Sequence, residues 1–263
     1  MENFEKIISD AFEYINLART NPSRFAEIVE GNLENYKTHN LYHREGDVPV
    51  ITKEGKGPAN ELIETLRRSR PVKPLKISLG LSKAAQSWAN FSWNQNIIGH
   101  FTPSSNSLSD RLDPFGKWSE CVTEALDYGS LTGYEVIHSF LVDDGIESRE
   151  HRINFLSGNF KKIGIGCGPH DNTKSVTVIL LAGDFIDNPQ MPNVEVPSGG
   201  IKNNWEVGSW IDGALKLTCD ITTDIEDDKL IKTIKRFWEM GDGSSFINED
   251  VIVSDKGDYS GSP

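Results

Sequence analysis

One stretch constrains this chain more than any other. Residues 148–156 read Ser-Arg-Glu-His-Arg-Ile-Asn-Phe-Leu, and residues 159–166 read Asn-Phe-Lys-Lys-Ile-Gly-Ile-Gly. A short helix carrying His151, a polar break and a glycine-punctuated strand make one half of a shared metal or ligand cleft. The other half lies about fifty residues earlier, where Trp88-Ala89-Asn90 leads into Gly99-His100-Phe101-Thr102. Two histidines this far apart are no local metal motif of the His-Glu-x-x-His kind. Only the fold can bring them together.

The elements between them follow from periodicity. Residues 3–18 place Phe4, Ile7, Ile8, Ala11, Phe12 and Ile15 at helical spacing, with acids between them. Asn21-Pro22 ends this helix and starts another, whose apolar face continues through Phe25, Ile28 and Val29. Residues 31–58 are polar and glycine-rich and read as a long insertion or loop. Residues 61–70 form a short charged helix, broken by Pro71 and Pro74, and residues 79–97 return to helical spacing. Residues 102–119 are rich in Ser, Asp and Pro, a loop with a short turn at 108–112. Thr132-Gly133-Tyr134-Glu135 is a capping box that opens a helix over Val136, Ile137, Phe140 and Leu141. Strands over 162–167 and 175–185 flank the turn residues Pro169-His170-Asp171-Asn172 and predict a hairpin.

Residues 189–200 read as a linker. Beyond it Leu215, Leu217, Cys219 and Ile221 alternate with polar residues, as in a half-buried strand, and 231–240 with 246–253 predict a second hairpin. From residue 190 onward there are 7 basic and 14 acidic residues, so −7 of the chain's −12 formal charge falls there. The expected architecture is therefore a first domain over 1–188, with an insertion at about 31–58, and a small acidic β module over 201–263.

Net charge and cysteine usage bound the partners and the compartment. At −12 the chain lacks the basic face that unaided nucleic-acid binding requires, and it disfavours anionic membranes. No run reaches transmembrane length. Met1-Glu2-Asn3-Phe4-Glu5-Lys6 reads as no secretory leader. Cys121, Cys167 and Cys219 cannot all pair within the chain. A reducing, cytoplasmic home is the expectation, with secretion as the alternative.

The His-Arg-x-Asn-hydrophobic-Leu run, the earlier Gly-His after a helix rich in Ala and Trp, and Asn16-Leu17-Ala18-Arg19-x-x-Pro22 together resemble the CAP superfamily of cysteine-rich secretory proteins, antigens and pathogenesis-related proteins. The resemblance covers roughly residues 3–187. It implies an α+β fold, a three-layer α-β-α sandwich around a central antiparallel sheet, to which the small C-terminal β-rich module is added. It also implies a cleft in which two histidines and two acids can hold a divalent metal such as zinc, none being required. His100 and His151 match the histidines. Glu124, in Thr123-Glu124-Ala125-Leu126, falls where the family has Gly-Glu-Asn, and Asp143 matches the second acid, with Asp144 and Glu150 as substitutes. The other residues read as structural. Trp88, Phe91 and Trp93 pack, Arg152 makes a salt bridge or helix contact, His138 is a satisfied bystander, and His170 is solvated in its turn.

For function, the expectation is a non-enzymatic binding or scaffold protein with protein partners, acting in an intracellular assembly, cytoskeletal or ciliary in kind. The first alternative is a lipid, sterol or divalent-metal binder using the His/His/acid cleft. The second is a metal-dependent hydrolase. No Gly-x-Ser-x-Gly elbow or phosphate-cradling glycine loop supports other chemistries.

Overall fold

The computed structural model describes residues 4–38, 40–43, 49–100 and 107–197, and three further strands within 214–255. Its elements run α1 (Phe4–Thr20), α2 (Pro22–Gly31), β1 (Tyr36–Thr38), β2 (Leu41–Tyr42), β3 (Val50–Ile51), α3 (Gly57–Arg68), β4 (Lys76–Ile77) and α4 (Leu79–Gln95). Then follow α5 (Leu108–Leu112), β5 (Gly116–Tyr128), α6 (Gly133–Val142), α7 (Glu150–Leu156), β6 (Lys162–His170) and β7 (Lys174–Asp187). Last come β8 (Ala214–Glu226), β9 (Lys229–Met240) and β10 (Ser245–Asp255). The chain divides into two compact units, one of residues 1–35 and 53–203 and the other of residues 36–52 and 204–263.

The first unit is built on a sheet in the order β4-β6-β7-β5. β6 and β7 form the expected hairpin, and β5 pairs antiparallel to the other side of β7. The two-residue β4 joins β6 in parallel, so a short parallel edge is added to the expected antiparallel sheet. Residues 175–183 of β7 are all buried, which requires both faces of the sheet to be covered. On one face Val176, Val178, Leu180 and Ala182 pack with Leu81, Ala85, Trp88 and Ala89 of α4. On the other, α1 lies against β6 and α6 against β5. The result is the expected three-layer α-β-α sandwich.

Two glycines set how closely α4 approaches the sheet. A Cβ on Gly164 would stand 2.1 Å from the Leu81 carbonyl carbon, and one on Gly166 would stand 2.3 Å from Gln86 N. Close helix–strand packing of this kind admits no side chain at either position. Gln86 then reaches the strand backbone, accepting from Cys167 N–H at 3.0 Å and donating to Cys167 O at 2.9 Å.

The CAP-like Asn-Leu-Ala-Arg run in α1 works by the same means. Asn16 Oδ1 accepts from Leu75 N–H at 2.7 Å and Asn16 Nδ2 donates to Leu75 O. Arg19 is 1% exposed and donates to the carbonyls of Lys73, Phe155, Ser157 and Phe160. One helix thereby fastens the segment before α4 to the segment after α7. At the far end of β7, Asp187 accepts from Ser78 Oγ–H and from the Leu79 and Gly80 N–H groups, capping the start of α4. Asp187→Ala is expected to cost about 1–2 kcal/mol in a urea melt, the range for a lost helix cap.

β5 escapes the periodicity argument because it bulges. Its register against β7 shifts between Ser119 and Val122, and Glu120 takes φ 68°. The extra residue breaks the in–out alternation that would mark a strand. Residues 189–197, read as a linker, lie on the first unit. Met191 and Val194 pack against the α4 core, and Glu195 O accepts from Asn90 Nδ2 at 3.1 Å. His170 is a correction. It is 2% exposed, with Nε2 on Ile97 O and Nδ1 beside Thr173 Oγ1, because the hairpin folds its turn back onto the end of α4. His138 is buried against the Tyr134 ring.

In the second unit, the stretch read as an insertion holds the short antiparallel meander β1-β2-β3. β8, β9 and β10 form another, in the order β10-β9-β8. Their register sets Asp220 and Glu249 on either side of Lys235, and Glu226 and Asp255 on either side of Lys229.

Candidate functional site

Each of the two candidate histidines lies against one of the two candidate acids. α4 ends at Asn96, which takes the left-handed conformation at φ 49° and donates to Ser92 O and Trp93 O. Ile97 N–H also donates to Ser92 O, the pattern of a glycine-type helix stop with asparagine in its place. The chain then turns at Gly99 and delivers His100, whose Nδ1 lies 2.9 Å from Glu124 Oε1. Glu124 stands in the middle of β5, opposite Leu180 of β7, and its side chain is 3% exposed.

A residue that the sequence reading passed over completes this pair. Ser107 and Asp110 form a capping box that starts α5, and α5 carries Arg111. Arg111 Nη1 and Nη2 donate to Glu124 Oε2 and Oε1 at 2.9 and 2.8 Å, while its guanidinium lies 4.0 Å over the Trp88 ring. Burial alone would raise the Glu124 pKa. The hydrogen bonds from His100 and Arg111 outweigh it and hold the carboxyl below its usual range. The only signal in the sequence was the capping box at 107–110, which predicts a helix but not its partner.

The second pair arises at the junction of α6 and α7. Thr132 caps α6, and Glu135 Oε2 accepts from Leu131 N–H, so that acid serves the helix start as expected. At the other end Asp143 takes φ 58° and its carboxylate turns onto α7. Oδ2 accepts from the His151 N–H at 2.9 Å, and Oδ1 accepts from His151 Nδ1–H at 2.7 Å. Asp143 therefore caps α7 and orients the imidazole together, which explains an acid at this position whatever else it does. The substitutes go elsewhere. Asp144 accepts from Lys53 N–H and Glu54 N–H, and Glu150 sits in the first turn of α7.

Arg149 and Arg152 lock this junction. Arg149 forks onto Glu54 at 2.7 and 2.8 Å and also reaches Glu61. This fork, with the Gly145 N–H, holds the Glu54 carboxyl at a pKa of about 2. Arg152, 3% exposed, bonds Glu61 and the carbonyls of Pro58, Leu141 and Val142.

Its hydrogen bond to Asp143 raises the His151 pKa, with burial opposing. A raised histidine pKa gives stability that is fully present below the unfolded value of about 6.5 and is lost as pH rises through the folded value. Unfolding free energy is therefore expected to decline across the window that opens near pH 6.5, and His151→Gln is expected to flatten that decline. Glu124 has the opposite sign. Its contribution is present above about pH 4.5 and is lost as pH falls through the folded value. Urea melts at a series of pH values read both.

The four expected residues thus stand as two histidine–carboxylate pairs. Among the described residues, no three His, Cys, Asp or Glu side chains converge as a metal site. A carboxylate behind Nδ1 is the arrangement that orients a metal-bound imidazole. Glu124 and Asp143 suit that orienting role, but a tetrahedral ion needs three or four ligands and two imidazoles do not supply them.

The family match spans all four of these residues. The model of the cysteine-rich secretory protein family, CAP, matches residues 61–181. The uncharacterized protein YkwD of Bacillus subtilis is 31% identical over 106 residues, 40% of this chain. The chain spans 39% of that relative's length. Among solved structures, an outer surface protein of Borrelia burgdorferi aligns at 21% identity and a TM-score of 0.35, over 46% of this chain and 84% of its own. An extracellular SCP-domain protein of Bacillus anthracis aligns at 18% and 0.34, over 50% and 42%. Venom allergen-like protein 4 of Schistosoma mansoni aligns at 14% and 0.31, over 67% and 92%.

Proposed function

We propose, for a chain whose residues 61–181 form a domain of the cysteine-rich secretory protein (CAP) family, a non-enzymatic binding role in an intracellular assembly, cytoskeletal or ciliary in kind. One observation carries the non-enzymatic part of this reading. Glu124, the acid placed to serve as general base, is already held by both arms of Arg111 and by His100. A carboxylate fixed this way and kept below its usual pKa is a weak proton acceptor. Asp143 is likewise committed to α7 and His151. The strands of the second unit supply a further surface for a protein partner. Cys167 is a buried free thiol that burial pushes up to about 12, which leaves it unreactive. No described helix is long and apolar enough to cross a membrane.

The test is fractionation of the tagged protein from its own cells into medium, detergent-soluble cytosol and detergent-resistant cytoskeleton, with co-purifying proteins identified. Retention in the cytoskeletal fraction with defined partners is the expected result. Recovery in the medium, or as a free species in the cytosol, would sink the assembly role.

A second reading is weak divalent-metal binding at one imidazole, since the carboxylate behind each Nδ1 turns Nε2 outward and water would have to complete the ion's shell. Calorimetric titration with zinc chloride tests it. Heat that disappears in the His100→Ala/His151→Ala double variant would support binding at these rings. Equal heat in both proteins would place the metal elsewhere.

A further inference from the structure

We infer that His170 and Tyr128 are positioning residues, which hold the 97–99 backbone from two sides and so set His100 against Glu124. The inference does not depend on what the cleft binds.

The argument starts with Ile97, the first residue beyond the left-handed stop of α4. Its carbonyl oxygen accepts two hydrogen bonds, one from Ser92 Oγ–H at 2.7 Å and one from His170 Nε2–H at 2.9 Å. A carbonyl oxygen has two lone pairs, and both are taken. Because that oxygen can only accept, the His170 hydrogen is placed on Nε2. Thr173 Oγ1, 3.0 Å from Nδ1, holds the ring from its other side. With both donors, His170 and Ser92, buried and Ile97 half-buried, water has only limited access to these bonds.

Two residues on, Gly99 N–H donates to Tyr128 Oη at 2.9 Å. The Tyr128 ring packs edge-on against His170 at 5.4 Å, so the two anchors brace each other. Tyr128 and Glu124 lie four residues apart on β5, and alternation places them on one face of the strand. The same strand therefore fixes the backbone just before His100 and receives its ring. Gly99 takes φ 120°, a conformation open to glycine, and the chain bends there between the anchor and the histidine. Both anchors bond the 97–99 main chain, and it is through this backbone that they act on His100.

Long-range proton–nitrogen NMR of the imidazoles in the full chain tests the assignment. The expected signature is hydrogen on Nδ1 of His100 and on Nε2 of His170. Tyr128→Phe and His170→Phe are each expected to abolish the His100 Nδ1–H signal and to speed Gly99 amide exchange by about tenfold or more. His170→Gln, whose amide can still donate to Ile97 O, is expected to retain the signal. Persistence of the His100 signature in Tyr128→Phe overturns the inference, as does its loss in His170→Gln with the fold intact. Should His170→Phe fail to fold, Tyr128→Phe carries the test, since it removes one hydroxyl from a partly exposed ring.

Discussion

Replacing Arg19 by alanine is expected to lower the stability of the first unit by about 4 kcal/mol, read as a shift of the urea midpoint at unchanged slope. Among the described residues no carboxylate pairs with this buried guanidinium. Its charge is met by four main-chain carbonyls, those of Lys73, Phe155, Ser157 and Phe160. Burial lowers its pKa to about 10, still well above neutrality, so the group is charged under ordinary conditions. Removing it leaves the Phe155 and Phe160 oxygens buried and unmet and opens those of Lys73 and Ser157 to water, and each buried loss costs about 1–3 kcal/mol before relaxation. Arg19→Lys is expected to recover only about half, because an ammonium has three hydrogens and no planar fork to span four acceptors. A loss below about 1 kcal/mol in the alanine variant would mean that water replaces the guanidinium at little cost.

Substituting alanine for Gly166 is expected to cost about 3 kcal/mol or more, and the Gly164→Ala/Gly166→Ala pair to prevent folding of the unit. The added methyls would meet the main chain of α4 at 2.3 and 2.1 Å, where no side chain can turn away. Relief requires α4 to lift from β6. That would open the packing of Leu81, Ala85 and Trp88 on β7 and part the Gln86–Cys167 bonds. Circular dichroism and thermal melting of the single and double variants measure this. A double variant that melts like the parent would show that the helix moves freely on the sheet.

Arg111 shows where reading the sequence stops. His100, Glu124, His151 and Asp143 can be matched by motif, but which acid lies against which histidine is seen only in the fold. Arg111 carries no motif, since it becomes part of the site only when α5 lays it over Trp88 and against β5. His170 is misread for a related reason. Turn chemistry in the sequence locates the hairpin tip but cannot say that the tip folds onto the end of α4. β5 is hidden by its own bulge, which moves the alternation out of phase at Glu120.

Local order along the chain determined the helices, the β6–β7 hairpin and the C-terminal strands, because periodic burial and capping act within a few residues. It also determined that residues 163–166 alternate isoleucine with glycine. What that alternation means was decided in three dimensions. The isoleucines fill one layer while the glycines admit α4 on the other. The same holds for the polar residues of α1. Asn16 and Arg19 look like an ordinary hydrophilic face until residues 54 to 141 positions away bring their carbonyls to them. A buried charge is tolerated only where acceptors converge, and convergence of distant main chain belongs to the tertiary structure alone.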